Sequence, residues 1–382
     1  MKTAKNRPAS PDQVSLRGPK YREILGRLRS EISAGKFDHN GRLPSESELV
    51  ERFGVSRPTV ARALRELQNE GMIDRRAGSG TFLREKAPRD AAQLGLLVPA
   101  LGNTEIFDPI CAEIARLAHE TNHVLLWGGS SGPSLETGIR QAEEVCQRYI
   151  QQKVAGVFFA PVELTPERSH INRRIAEAFR NANVAVLLLD RDLEAFPRRS
   201  EFDLVGIDNF SAGFRLAAHL IQLGCARICF AAKPDSAPTV DLRIAGWREA
   251  MIRGGHENLC PGAVHIGDPN DDAFIRKLIG SRPEAVICAN DMTAAQVMQK
   301  LTQGGKRVPE DIRLVGFDDL EYAKLLSVPL TTMHQPCAAI GAAAVEALLE
   351  RIRNPKLARR EIFLDAELVV RQSCGAHLQN KT

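Results

Sequence analysis

The 382-residue sequence has no apolar run approaching the roughly 18 residues that would span a membrane. Its opening, MKTAKNRPASPDQ, carries basic residues with no apolar stretch behind them. No secretory leader is therefore expected, and the expected compartment is the cytoplasm. None of the 8 cysteines forms a CxxC pair, and no His/Cys cluster has zinc spacing. Several, such as Cys229 and Cys288, lie inside apolar runs and read as buried reduced thiols. Neither a metal nor a cofactor is expected. Short internal repeats and low-complexity segments are absent too, and no long heptad helix closes the chain, which leans toward a dimer rather than a tetramer.

What is present suits a multidomain globular protein. Hydrophobic residues make up 43% and charged residues 26%, and the length calls for two or three domains. The charge is unevenly placed. Residues 1–89 hold 19 Lys/Arg against 11 Asp/Glu, whereas residues 90–382 hold 32 against 36. A basic head on a mildly acidic body points the head toward a polyanion.

Residues 1–17 are polar and aperiodic and read as a tail. From Tyr21 the spacing of Ile24, Leu25, Leu28 and Ile32 predicts a helix. Ser45 and Glu48 form an S-x-x-E capping box for a second helix that stops at Gly54. Ser56 then caps a third, with Val60, Ala63, Leu64 and Leu67 as its buried stripe. Two strands, 72–76 and 81–83, flank Ala77-Gly78-Ser79-Gly80 as a hairpin. A helix entering the major groove uses its first turn to reach bases and phosphates. Here that turn offers Ser56, Arg57, Pro58 and Thr59, with Arg62 and Arg65 extending the basic face. Arg57 has the two-pronged donor geometry that reads a guanine edge.

After the charged stretch 85–92, taken as a linker, short apolar strands alternate with helices. They form two series, so the body is expected to be two doubly wound α/β lobes with parallel sheets, over residues 93–376. In such sheets ligands sit beyond the carboxyl ends of the strands. The residues following the strands are Trp127, then Asp190-Arg191-Asp192, Asn290-Asp291 and Phe317-Asp318-Asp319. Carboxylates, an amide, arginines and an aromatic suit a polyhydroxylated ligand better than a lipid or a metal. Asp208 and Asp291 each precede a helix and read as plain N-caps, and Trp247 reads as core.

Residues 20–83 resemble the winged-helix domain of the GntR family of bacterial transcription regulators. The resemblance rests on Arg42-Leu43-Pro44-Ser45-Glu46-Ser47-Glu48-Leu49, Phe53-Gly54-Val55-Ser56-Arg57-Pro58-Thr59-Val60 and Gly78-Ser79-Gly80-Thr81-Phe82. It implies operator DNA as partner of a winged helix spanning 18–84, with Arg42, Ser45, Ser47, Ser56, Arg57, Pro58, Thr59, Arg62, Gly78, Ser79 and Gly80 at the contact. Ser47 and Ala61 stand where the family usually has basic residues. Residues 93–374 are similar to the LacI/GalR type of repressor core, related to periplasmic sugar-binding proteins. The motifs are Gly156-Val157-Phe158-Phe159, Leu189-Asp190-Arg191, Val205-Gly206-Ile207-Asp208-Asn209, Asp241-Leu242-Arg243, Ala289-Asn290-Asp291, Gly316-Phe317-Asp318-Asp319 and Pro329-Leu330-Thr331-Thr332-Met333-His334-Gln335-Pro336. This likeness implies an effector cleft lined by Asp190, Arg243, Asn290 and Asp318, with Phe107, Trp127, Arg191, Phe210 and Gln335 as further candidates. Pro269 stands where the family often has a stacking aromatic, and Trp127 is the substitute ring expected here.

Together these features describe a ligand-responsive transcription regulator, a repressor acting as a homodimer on operator DNA and sensing a sugar-like effector. Lobe closure is expected about hinges near 190–193, 332–336 and 353–360. The alternatives are a solute-binding protein without DNA function, or a hydrolase using Ser130 in Gly128-Gly129-Ser130-Ser131-Gly132. The first conflicts with the basic head. The second lacks a helix directly behind the serine and an oxyanion loop. A pyridoxal-phosphate body would need a lysine after a strand, and none stands there.

Overall fold

The computed structural model describes residues 20–33, 43–69, 73–76, 80–83, 92–99, 105–130, 135–162, 169–259 and 262–379. The chain divides into two compact units between residues 91 and 92. The tail at 1–17, Arg42, Gly78, Ser79 and nearly all of the linker lie outside the described residues.

The first unit is built from α1 (Lys20–Ser33), α2 (Glu46–Phe53), α3 (Arg57–Asn69), β1 (Ile73–Arg76) and β2 (Gly80–Leu83). The capping box at α2 forms as expected. The Ser45 hydroxyl accepts from the Glu48 N–H at 3.3 Å, and the Glu48 carboxylate accepts from the Ser45 N–H at 2.7 Å. Such a cap contributes about 1 kcal/mol. Gly54 ends α2 at φ 62°, a left-handed turn that aims the chain into α3. Leu28, Leu49, Val60, Leu64, Leu67 and Ile73 are buried together, so the three helices and the hairpin share one core. The hairpin pairs antiparallel with Ile73 opposite Leu83.

The second unit opens with β3 (Gln93–Pro99), α4 (Phe107–Glu120), β4 (Val124–Ser130), α5 (Leu135–Gln151), β5 (Gly156–Phe159), α6 (Ser169–Asn181), β6 (Ala185–Leu189) and β7 (Asp203–Ile207). It crosses to a second lobe of α7 (Asn209–Gln222), β8 (Ile228–Ala232), α8 (Pro238–Arg253), β9 (Val264–Ile266), α9 (Asp272–Gly280), β10 (Ala285–Cys288), α10 (Asp291–Gln303), β11 (Arg313–Asp318) and β12 (Thr331–His334). It returns through α11 (Cys337–Arg353), which packs on α4, β5 and β6. Then β13 (Glu361–Leu364) completes the first sheet, β14 (Glu367–Val369) the second, and α12 (Ala376–Gln379) follows. The sheet orders are β13-β7-β6-β5-β3-β4 and β14-β12-β11-β10-β8-β9. Every pairing is parallel except β12 with β14.

Three expectations need correction. The apolar run 204–207, which from the sequence opens the second series of strands, belongs instead to the first sheet, beside β6, so the crossover follows it. The lobes are therefore joined at Ile207–Asn209, Gln335–Pro336 and Asp365–Ala366, not at 190–193 or 353–360. Strand β12 is missing from the apolar series because it reads Thr-Thr-Met-His. Its threonines are nonetheless fully buried. Thr332 donates to Asp291 Oδ1 at 2.6 Å, and Thr331 Oγ1 accepts from the Arg371 N–H at 2.8 Å, which makes that burial tolerable.

Helices α7 and α8 touch backbone to backbone. A Cβ on Gly246 would lie 2.0 Å from the Phe210 carbonyl oxygen, and one on Gly213 would lie 2.2 Å from the Arg243 carbonyl oxygen. Trp247 is fully buried, as expected, with the Phe230 ring 6.3 Å away.

Candidate functional site

In the first unit the turn between α2 and α3 places a polar, basic face in solvent. Ser47, Ser56, Arg57, Pro58, Arg62 and Gly80 are exposed, and Thr59 is half-buried. The Ser56 and Thr59 hydroxyls lie 2.8 Å apart at the start of α3. Arg57 pairs with Glu46 at 3.3 Å while 71% of its side chain is exposed. An exposed pair of this kind contributes about 0–1 kcal/mol, so Arg57 can exchange Glu46 for another acceptor at little cost. The Arg62 guanidinium lies 4.1 Å above the Tyr21 ring. Ser45 turns its side chain back to cap α2.

In the second unit the carboxyl ends of β6 and β11 meet across the lobes. Asp190 follows β6 and Asp318 ends β11, and both have positive φ, 69° and 110°. For a residue other than glycine this stores on the order of 1–3 kcal/mol of strain, as is common at binding sites. Arg243, from α8, is buried within reach of both aspartate charges. Its Nε donates to Asn209 Oδ1 at 2.8 Å and its Nη1 to the Ala289 carbonyl at 2.6 Å. Its guanidinium stacks on Phe317 at 3.6 Å. Burial works against this cation, and Asp318, Asp190 and Asp291 hold it charged. Gln335, at a crossover, donates from Nε2 to Asp318 Oδ1 at 2.7 Å.

Burial pushes Asp318 up to about 8 against the pull of Arg243, and pushes Asp291 up to about 6. Both carboxyls hold protons in the fold that the unfolded chain releases near pH 4. Stability is therefore expected to fall as pH rises from about 4 to 8 and then to level off. Thermal unfolding across that range checks this, and Asp318→Asn should flatten the slope.

Two cavities open beside this cluster. The larger, about 830 Å³, is lined by Glu105, Asp108, Asp318, Asp319, Tyr322 and Gln335 among others. The smaller, about 270 Å³, is lined by Asp190, Arg191, Asn209, Phe210 and Thr239 among others. So Asp190, Arg191, Phe210, Asp318 and Gln335 reach cavity walls, whereas Arg243 lines neither cavity and bonds Asn209 in the wall of the smaller one. Phe107 is buried in the core beneath the Arg191 guanidinium, 5.7 Å from its ring. Asn290, not Asp291, is the N-cap of α10, accepting from the Thr293 N–H at 2.8 Å. Asp291 is instead buried and bonded to Thr332 and to the Leu320 N–H. Asp208 does cap α7. Trp127 lines neither cavity: β4 runs on to Ser130, leaving the tryptophan in mid-strand on the sheet edge and half exposed. Ser130 ends that strand, and among the described residues the next helix is α5, from Leu135. Glu105, Thr239 and Tyr322 escape the sequence reading because none follows a strand, whereas Asn209 stands two residues past β7 within a quoted motif and is not singled out there. Among the described residues no group of His, Cys, Asp and Glu is placed to hold a metal, and no helix is long and apolar enough to cross a membrane.

Two family models match. The description "Bacterial regulatory proteins, gntR family" covers residues 20–83, and "Periplasmic binding protein-like domain" covers residues 217–374. The HTH-type transcriptional repressor PurR of Aliivibrio salmonicida is 34% identical over 291 residues, 73% of this chain and 80% of the relative. The chain belongs to the LacI family of transcriptional repressors. In this LacI-family repressor the head is of the GntR type. The arabinose metabolism transcriptional repressor of Geobacillus stearothermophilus is 28% identical over 373 residues, 93% of this chain and 97% of the relative. The solved complex of the transcriptional regulator CelR with cellobiose shares the fold, with a TM-score of 0.63 at 22% identity, covering 94% of this chain and all of that one.

Proposed function

We propose that this repressor binds operator DNA through the α3 face of its head and releases or grips it in response to a hydroxyl-rich effector held between the lobes. The observation that carries the reading is the buried Arg243, stacked on Phe317 and acted on by the charges of Asp190 from one lobe and Asp318 from the other. Paired carboxylates and a guanidinium fixed on an aromatic face are the groups that grip several hydroxyls at once. The names of the relatives, one concerned with arabinose metabolism and one seen with cellobiose, favour a carbohydrate. A ligand that bridges Asp190 and Asp318 favours closed lobes by its differential affinity for that state. A homodimer would present two heads to a two-fold-symmetric site.

A thermal-shift screen against sugars, polyols and sugar derivatives tests the effector, followed by operator titration with each hit. A ligand at about a hundred times its dissociation constant adds roughly 2.7 kcal/mol of stability. A hit that leaves operator affinity unchanged would refute the coupling. For the head, Arg57→Ala should weaken binding to a duplex selected by the wild-type protein by about 1–3 kcal/mol and relax preference at one base pair. Equal loss on every sequence would make Arg57 a phosphate contact.

A further inference from the structure

The larger cavity is rich in acceptors and poor in donors. Its walls carry the carboxylates of Glu105, Asp108, Asp318, Asp319 and Glu321, and no Lys or Arg among the described residues lines it. Asp319 is matched by Arg371 at 2.6 Å and by His334 at 3.1 Å. Glu321 pairs with Lys324 at 2.5 Å. Asp108 and Glu105 have no such cation among the described ion pairs, although Tyr322 stands next to Glu105. Arg243 is not in its lining, and Asp318, Asp190 and Asp291 already act on its charge.

Three polar atoms at this cavity lack a hydrogen-bond partner: the acceptors Glu105 Oε2 and Gln335 Oε1, and the Tyr322 hydroxyl beside Glu105, which can donate or accept. Gln335 is only 1% exposed. Its amide is oriented by Asp318, which takes the N–H and leaves the carbonyl oxygen for something else. A buried acceptor in this state is unfavourable until a donor arrives. A hydroxyl or an ammonium supplies one. A phosphate or carboxylate supplies none and brings a like charge beside Glu105 and Asp108.

We propose that this cavity selects its ligand by charge, taking hydroxyl-rich molecules that are uncharged or carry a basic amine and rejecting sugar phosphates and sugar acids. Glu105 on the first lobe and Gln335 at the crossover set the choice. The inference rests on the reading of the cleft as an effector site. Its charge arm goes further than that reading and has its own failure.

The test is calorimetric titration of the full-length protein with matched sets: glucose, glucosamine, glucuronate and glucose 6-phosphate, the same four forms of galactose, and ribose with ribose 5-phosphate. The expected result is binding by a neutral or amino member, with its acid and phosphate at least about tenfold weaker, as like-charge juxtaposition requires. Glu105→Lys should shift the preference toward the phosphate at least about tenfold. Glu105→Gln, which keeps the shape, should shift it part of the way. Acids or phosphates that bind as well as their parents, or a preference unmoved in both variants, overturn the charge selection and leave the effector site standing. No response to any member overturns the sugar reading of the cleft, and the selection with it.

Discussion

Asp318→Ala is expected to abolish the effector response while leaving operator binding intact. A hydrogen bond lost at a buried polar group costs about 1–3 kcal/mol, so loss of this carboxyl should weaken the effector by roughly 5- to 150-fold. The head is a separate unit with its own buried core, and Asp318 is not part of that core. Removing one partner of a buried ion pair usually destabilises by about 3–5 kcal/mol. Here the cost should be smaller, because Asp190 and Asp291 still face Arg243 and the surplus of carboxylates is part of what pushes Asp318 up. Near pH 8 Asp318→Asn should be at least as stable as the wild type. Anisotropy titration of a selected operator duplex, with and without the effector, separates the two functions. A full response in the variant would remove Asp318 from the site.

Gly246→Ala is expected to cost about 3 kcal/mol or more, at the upper end of overpacking effects. The added carbon would meet the Phe210 carbonyl oxygen at 2.0 Å, and that oxygen belongs to a helix backbone that cannot rotate away. Helices α7 and α8 must separate. At about 2–4 °C per kcal/mol for a domain of 150–250 residues, the melting temperature should fall by roughly 6–12 °C. Effector affinity should fall as well, because α8 carries Arg243 and α7 begins with Asn209, its hydrogen-bond partner. Calorimetry with and without the effector measures both. A shift below about 2 °C would mean that the helices accommodate the methyl group without moving.

Much of the architecture is legible in local chemistry. The capping box at Ser45 and Glu48, the left-handed stop at Gly54 and the apolar strands of both sheets need only neighbouring residues to specify them. What escapes depends on long-range partners. Thr331 and Thr332 look like loop residues until Asp291 and Arg371 are placed beside them. Asp291 looks like a cap until its carboxylate is seen turned inward toward β12. The positive φ of Asp190 and Asp318 is invisible because neither position is a glycine. Trp127 was misplaced because a strand that continues through Gly128 and Gly129 carries no apolar signal past the tryptophan. The cleft was legible wherever its residues follow strands, as Asp190, Arg191 and Asp318 do, and illegible wherever loops supply them, as with Glu105.

The three links between the lobes lie on strands of neighbouring position: β7 beside β13 in one sheet, β12 beside β14 in the other. The third link is only two residues long, and Arg215 holds its Ala366 carbonyl. Two lobes joined by a single strap can swivel and slide as well as close. Joined by three short straps along one edge, they behave like a door on several pins, which keeps one rotation and loses the rest. Under the proposed function, occupancy of the cleft then maps onto a single angle, and whatever the head senses of the effector is encoded in how far that door is shut.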